Sequence, residues 1–120
     1  MKSKKIIIGS RGSKLALIYA ERAREKLLNF CSEVEIKKIV TDGDLNQKDR
    51  LSDIGGKGLF SKKIENNLIN NQIDIAVHAL KDMPSEEPEG LITNCFLERN
   101  DPREVLISKN NNQIRNLKTN

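Results

Sequence analysis

The strongest constraint in this sequence is an alternation between two periods. Lys5 to Ile8 is a short apolar run that stops at Gly9, and Ser13 then offers an N-cap to a segment of helical spacing. In that segment Leu15, Ile18, Tyr19, Ala23 and Leu27 share one face, while Glu21, Arg22, Glu25 and Lys26 fall largely on the other. Val34 to Val40 next alternates apolar with charged side chains, the period of a strand with one solvated face. Strand, tight turn, helix and strand again predict a parallel α/β sheet.

The remaining chain continues the alternation. Thr41 to Asp53 is polar and without period, which predicts a long loop. Leu59, Phe60, Ile64 and Leu68 recur at helical spacing, and Ile73 to Leu80 reads as a mostly buried strand. After a proline-bearing loop, Lys81 to Gly90, two further strands are expected at Leu91 to Leu97 and Glu104 to Ser108, divided by the turn signal Asn100-Asp101-Pro102. Residues 109–120 are polar, asparagine-rich and lack an apolar face, as a linker would. The expected organisation is an α/β domain over residues 1–108 and a linker over residues 109–120.

With 120 residues, the chain is long enough for one domain that buries about two-thirds of its unfolded surface. Hydrophobic residues are 37% and charged residues 32%, so the core is lean. No apolar run approaches the roughly 20 residues of a membrane-spanning helix, nor the length of a signal-peptide core. Cys31 and Cys95 can form at most one bridge, and without a secretory signal they are expected to be free thiols in a reducing cytoplasm, packed as small apolar side chains. The net charge of +4 favours an anionic partner. Lysines and acids are interspersed, however, and Tyr19, Phe30, Phe60 and Phe96 do not make a base-stacking platform, so nucleic acid is not expected.

Two motifs fail on inspection. Asp42, Asp44 and Asn46 have the spacing that opens a calcium loop, but Gln47 stands where the sharp turn needs glycine and Asp53 where the bidentate glutamate belongs. Gly55-Gly56-Lys57-Gly58 lacks the spacing of a phosphate loop. His78 is the single histidine, so a histidine metal cluster is excluded, and its place at a strand end suits a hydrogen-bonded core group.

Three segments lie just past strand ends, where α/β sheets bind ligands. In Gly9-Ser10-Arg11-Gly12-Ser13, a helix N-terminus and a guanidinium converge, which makes an anion site; simple capping with a solvated arginine would use the same residues. Ile54 to Phe60 sets three glycines around Lys57, with Phe60 as an apolar face, the composition of a close-approach loop or of a merely mobile one. Asp74 to Pro84 ends a buried strand in Lys81 and Asp82. An acid beside cations can exchange protons or stabilise a developing cation, and it can equally be a turn aspartate.

Taken together, Gly9 to Leu17, Thr41-Asp42-Gly43-Asp44, Gly55 to Phe60, Asp74 to Pro84 and Glu98-Arg99-Asn100-Asp101-Pro102-Arg103 closely resemble the porphobilinogen deaminase (hydroxymethylbilane synthase) family over nearly the whole chain. The resemblance implies a periplasmic-binding-protein-like (type II) α/β domain with a mixed, mainly parallel sheet flanked by helices. It also implies a cytoplasmic transferase of tetrapyrrole and haem biosynthesis, with three domains and an active site between the first two. Four porphobilinogen units lose ammonia and join into hydroxymethylbilane, built on a covalent dipyrromethane cofactor. By motif match Asp82 is the catalytic acid/base group, Arg11, Ser13, Lys81 and Asp82 bind cofactor or substrate carboxylates, and Lys57 and Phe60 belong to a flexible loop over the cleft.

The sequence departs from the family at Asp53, where lysine is frequent, at Tyr19, where glutamine is frequent, and at Ala79, which loses a serine hydroxyl. Cys31 and Cys95 do not match the family's cofactor-bearing cysteine, which belongs to its third domain. A partial deaminase is therefore expected, inactive alone, with the rest of such an enzyme as a partner besides porphobilinogen. The alternative from another class is a small carboxylate-binding module without catalysis.

Overall fold

A computed structural model of the chain describes residues 3–46, 48, 58–105, 107 and 115. Its centre is strand β1 (Ser3–Ser10), where three successive isoleucines supply the β-branched run suited to a strand covered on both faces. Strand β2 (Cys31–Lys38) pairs parallel to one edge of β1, with Ile6 opposite Val34 and Ile8 opposite Ile36. The short β3 (Ile75–Ala76) pairs parallel to the other edge, giving the order β2-β1-β3. Among the described residues every pairing is therefore parallel, rather than mixed as expected.

A parallel pair needs a crossover, and helix α1 (Lys14–Leu27) provides the first. The Ser13 hydroxyl accepts the Ala16 N–H at 3.3 Å, and Arg24 and Lys26 place positive charge in the last turn, where the helix dipole favours it. Alternation along β1 then divides the core. Ile8 packs with Ala20, Ala23 and Val34 beneath α1, joined by Ile6 and Leu27. Ile7 points the other way, toward Ile39, Ile64 and Ile73 and the inner face of helix α3 (Gly58–Ile69).

The face of α1 differs from expectation. Its buried residues are Ala20 and Ala23, while Leu15 and Ile18 are about half exposed. Small side chains let the helix lie close to the sheet, and that rotates the larger ones toward its rim. Thr41 does not open a featureless loop either. It caps a single helical turn, α2 (Asp42–Leu45), through a reciprocal box in which the Thr41 hydroxyl accepts the Asp44 N–H and the Asp44 carboxylate accepts the Thr41 N–H. The rest of the expected loop, residues 47 and 49–53, lies outside the described residues.

The expected strand over Ile73 to Leu80 shrinks to two paired residues, because Ile73 is drawn into the core beside Gly9 and Leu80 starts a 3-10 turn, Leu80–Asp82. A Cβ on Gly9 would collide with Ile73 Cδ1, so glycine is what lets Ile73 cross there. Leu91 to Leu97 forms no strand. Ile92 and Phe96 are exposed, and an alternating segment without a strand beside it has no ladder to join. Glu104, Val105 and Ile107 are likewise outside any strand, and Leu106 and Ser108 lie outside the described residues.

The cysteines also depart from expectation: Cys31 is half-buried at the edge of the α1 cluster, but Cys95 is exposed and takes no part in the core. Among the described residues no helix is long and apolar enough to cross a membrane.

Candidate functional site: a cleft between the first turn of α1 and the 3-10 turn

Two chain segments are brought together at the carboxyl end of the sheet. The first leaves β1 at Ser10, whose buried hydroxyl donates to the Arg11 carbonyl at 2.9 Å, and enters α1 at Lys14. The second is anchored to β1 by its backbone. Asp74 N–H donates to Ile7 O at 2.9 Å, Val77 N–H donates to Gly9 O at 3.1 Å, and the Asp74 carboxylate accepts the Ile7 N–H at 2.8 Å. Past β3 the chain tightens into the 3-10 turn, where Asp82 N–H donates to Ala79 O at 2.9 Å, and Pro84 follows.

Between them lies a cleft of about 230 Å³. Leu15, Ala16 and Val77 give it an apolar floor, and Arg11, Ser13, Tyr19, His78, Lys81 and Asp82 carry its polar groups. Four residues singled out from the sequence, Arg11, Ser13, Lys81 and Asp82, thus share one cleft. Phe60 does not belong to a covering loop. It sits in the first turn of α3, with its ring over the Arg11 guanidinium at 4.1 Å. Lys57 lies outside the described residues.

Arg11 is held from several sides. Its Nε and Nη2 both donate to Asp44 Oδ1, at 3.0 and 2.5 Å, and its Nη1 lies 3.8 Å from Asp82 Oδ2. Burial disfavours charge on Asp44, but hydrogen bonds from Arg11 and Thr41 more than offset it and hold the carboxyl below its ordinary range. Phe60 in turn rests on Gly43, where a Cβ would stand 2.5 Å from the ring edge. Lys81, by contrast, is exposed and makes no ion pair among the described residues.

His78 and Tyr19 line the cleft and Asp44 holds Arg11 from outside it, and sequence reasoning gave none of the three a role in the site. Asp44 fell inside the rejected calcium spacing, although the Thr41-x-x-Asp44 pattern is itself a capping signal. His78 is not the hydrogen-bonded core group expected, because its Nε2 is buried without a partner among the described residues. Burial pushes the imidazole below its ordinary range; Asp82 opposes that shift and Arg11 adds to it.

The donor set suits an organic polycarboxylate carrying N–H groups. Arg11, Lys81 and the α1 amides that lack an intrahelical acceptor can bind carboxylates, and Asp82 can accept from N–H. Such groups match a dipyrromethane, whose rings bear acids and pyrrole nitrogens. The volume falls below the roughly 300–1,000 Å³ usual for small-molecule pockets, as one wall of a larger site would.

Comparison with known proteins agrees with this chemistry. The family model for "porphobilinogen deaminase, dipyromethane cofactor binding domain" matches residues 6–120. The chain is 48% identical over 117 residues to the porphobilinogen deaminase of Chlorobium phaeobacteroides, covering 96% of this chain and 37% of that protein. It is 50% identical over 115 residues to the Bacillus subtilis deaminase, covering 94% and 37%. The Staphylococcus saprophyticus deaminase is 45% identical over 119 residues, covering 98% and 39%. The chain thus spans less than two-fifths of the length of these relatives. The family match runs over residues 6–120, a span that includes every residue of the cleft, and with the near half identity to these deaminases it shows that the chain belongs to the porphobilinogen deaminase family.

Proposed function

We propose that this chain serves as the cofactor- and substrate-binding first domain of a cytoplasmic porphobilinogen deaminase, in which four porphobilinogen units condense with loss of ammonia into hydroxymethylbilane. The observation that carries this reading is the meeting of Arg11, Lys81, Asp82 and the α1 N-terminus in one cleft. In this reading the domain is of the type II periplasmic-binding kind, residues 1–108 form it, and residues 109–120 link it to a second domain. The partners are porphobilinogen and the rest of such an enzyme.

The dipyrromethane group, when bound, supplies the covalent anchor on which the tetrapyrrole is built. This chain's residues orient and neutralise. Arg11, Lys81 and the amides of the first α1 turn hold acetate and propionate carboxylates, so each ring is fixed by its acidic arms. Asp82 accepts from pyrrole N–H and offsets positive charge that develops on nitrogen as ammonia departs, and it exchanges the proton this requires. Leu15, Ala16 and Val77 exclude water from the ring's apolar surface, which strengthens those contacts. Two opposed charges side by side, Arg11 and Asp82, fit a substrate that carries both acids and N–H donors better than a plain anion.

The test is an NMR titration of porphobilinogen into the 120-residue chain. Shifts localised to the amides of Arg11, Ser13, Lys81 and Asp82, and abolished by Arg11→Ala, are the expected result. A well-dispersed spectrum indifferent to millimolar porphobilinogen would overturn the reading of this cleft as a preformed half-site.

A further inference from the structure

We propose that Asp44 is a positioning residue that occupies the Nε and Nη2 edge of Arg11, so that Arg11 meets a carboxylate ligand end-on, through Nη1 and the remaining Nη2 hydrogen. A free guanidinium offers a carboxylate two parallel N–H groups as a fork. Here the side fork is taken, since both Nε and Nη2 donate to Asp44 Oδ1, at 3.0 and 2.5 Å; the end fork, an Nη1 hydrogen with the second Nη2 hydrogen, is left. The other carboxylate oxygen is engaged too, accepting from Thr41 Oγ1 at 2.7 Å and Thr41 N at 3.2 Å.

The rest of the guanidinium is equally constrained. Phe60 covers one face at 4.1 Å, and Gly43 leaves just the space for that ring. The Nη1 and Nη2 end is what remains, and Nη1 leads it toward Asp82. Nη1 lies 3.8 Å from Asp82 Oδ2, within ion-pair range but too long for a hydrogen bond. A ligand carboxylate arriving in the cleft therefore meets the Nη end of the guanidinium, beside Asp82, and not its Nε edge.

This assigns work to the Thr41-Asp42-Gly43-Asp44 turn although it does not line the cleft. α2 acts as a bracket for Arg11 from outside, with Thr41 and Asp44 locking each other and Gly43 seating Phe60. Lysine at position 11 would supply charge but no fork for Asp44, so the bracket requires arginine. The identity of the ligand rests on the deaminase reading; the bracket does not.

The experiment follows the Arg11 Nε–H by NMR in the full chain, with exposed Arg99 as the internal reference. The Arg11 Nε–H is expected to exchange with water at least about tenfold more slowly than that of Arg99, as a charge-assisted hydrogen bond implies. Asp44→Asn, which keeps an acceptor for the Thr41 cap, brings it to the Arg99 rate, and Asp44→Glu restores part of the protection. Backbone amides of Ile8 and Ala20 stay unchanged, which a merely structural role for Asp44 would not allow. Titration with acetate and then porphobilinogen shifts the Nη resonances and leaves Nε in place.

Equal exchange at Arg11 and Arg99 in the unsubstituted chain overturns the proposal without recourse to any variant. So does a ligand that moves the Nε resonance by displacing Asp44. If neither porphobilinogen nor acetate shifts any Arg11 resonance while Nε stays protected and sensitive to Asp44, the bracket stands, but ligand contact through the Nη end and the deaminase reading of this cleft both fall.

Discussion

The two walls of the cleft carry one cation each and are built in opposite ways. On the α1 wall, Arg11 is fixed by Asp44, stacked on by Phe60 and aimed toward Asp82. On the opposite wall, Lys81 stands exposed on a three-residue turn, tied to the sheet through the two residues of β3. The conformational cost of ordering Arg11 is met during folding, whereas Lys81 must lose rotamer freedom when a ligand binds. One wall is pre-organised; the other keeps its rotamer freedom.

The difference extends into the chain behind each wall. Behind Arg11 lie the three-stranded sheet and both hydrophobic clusters. Behind Lys81 the chain runs through residues 83–105 without a helix or strand, touching the α1 cluster at Leu97. Truncation separates the two regions most sharply. Ile8→Ala removes a fully buried side chain at the centre of β1 and should cost about 2–5 kcal/mol in denaturant unfolding. Ile92→Ala, at a residue 76% exposed, should stay within about 0.5 kcal/mol. Comparable losses would mean that residues 83–105 are packed against something that the described residues do not include.

A smaller effect tests the α1 wall by itself. Gly43→Ala places a methyl 2.5 to 2.9 Å from three atoms of the Phe60 ring, so the ring must leave Arg11. Overpacking of this kind costs about 1–3 kcal/mol. The loss should appear in Phe60 ring and Arg11 side-chain resonances while Lys81 and Ala79 amides hold still. Movement on both sides would show that the walls are coupled rather than independent.

What could be read from the sequence follows the range of the interactions. β1, its turn and α1 were legible because apolar period, Ser13 capping and the Gly9 break all act within a few residues. The place of Arg11 beside a helix start was legible for the same reason, since a helix start announces itself locally. Asp44 was not, because its meaning depends on an arginine 33 residues earlier, and its acidic neighbours mimic an ion-binding spacing. The face of α1 was misjudged because hydrophobicity ranks Leu15 and Ile18 above Ala20, whereas close approach to the sheet selects the small side chain. Leu91 to Leu97 has the period of a strand, but period specifies a face and not a neighbour to pair with.

The smallest of the expected effects bears on the wall that is less firmly held. His78 is the only histidine in the chain, so its imidazole protons report its titration directly. Burial lowers its pKa from 6.5; Asp82 pulls it back and Arg11 pushes it further down. Between the lowered folded value and 6.5 the unfolded chain binds a proton that the folded chain refuses, so stability rises with pH there. The contribution is complete above 6.5 and is lost as pH falls through that window to the folded value. Asp44, also lowered, gives way only below its ordinary 3.8, whereas the His78 window opens at 6.5. Thermal unfolding should therefore weaken modestly from pH 7 toward pH 5 in the unsubstituted chain and much less in His78→Gln. A folded-state midpoint at or above 6.5 would mean that Asp82 outweighs burial. The second wall would then hold an imidazolium between Asp82 and the cleft, and it would be as charged and as ordered as the first.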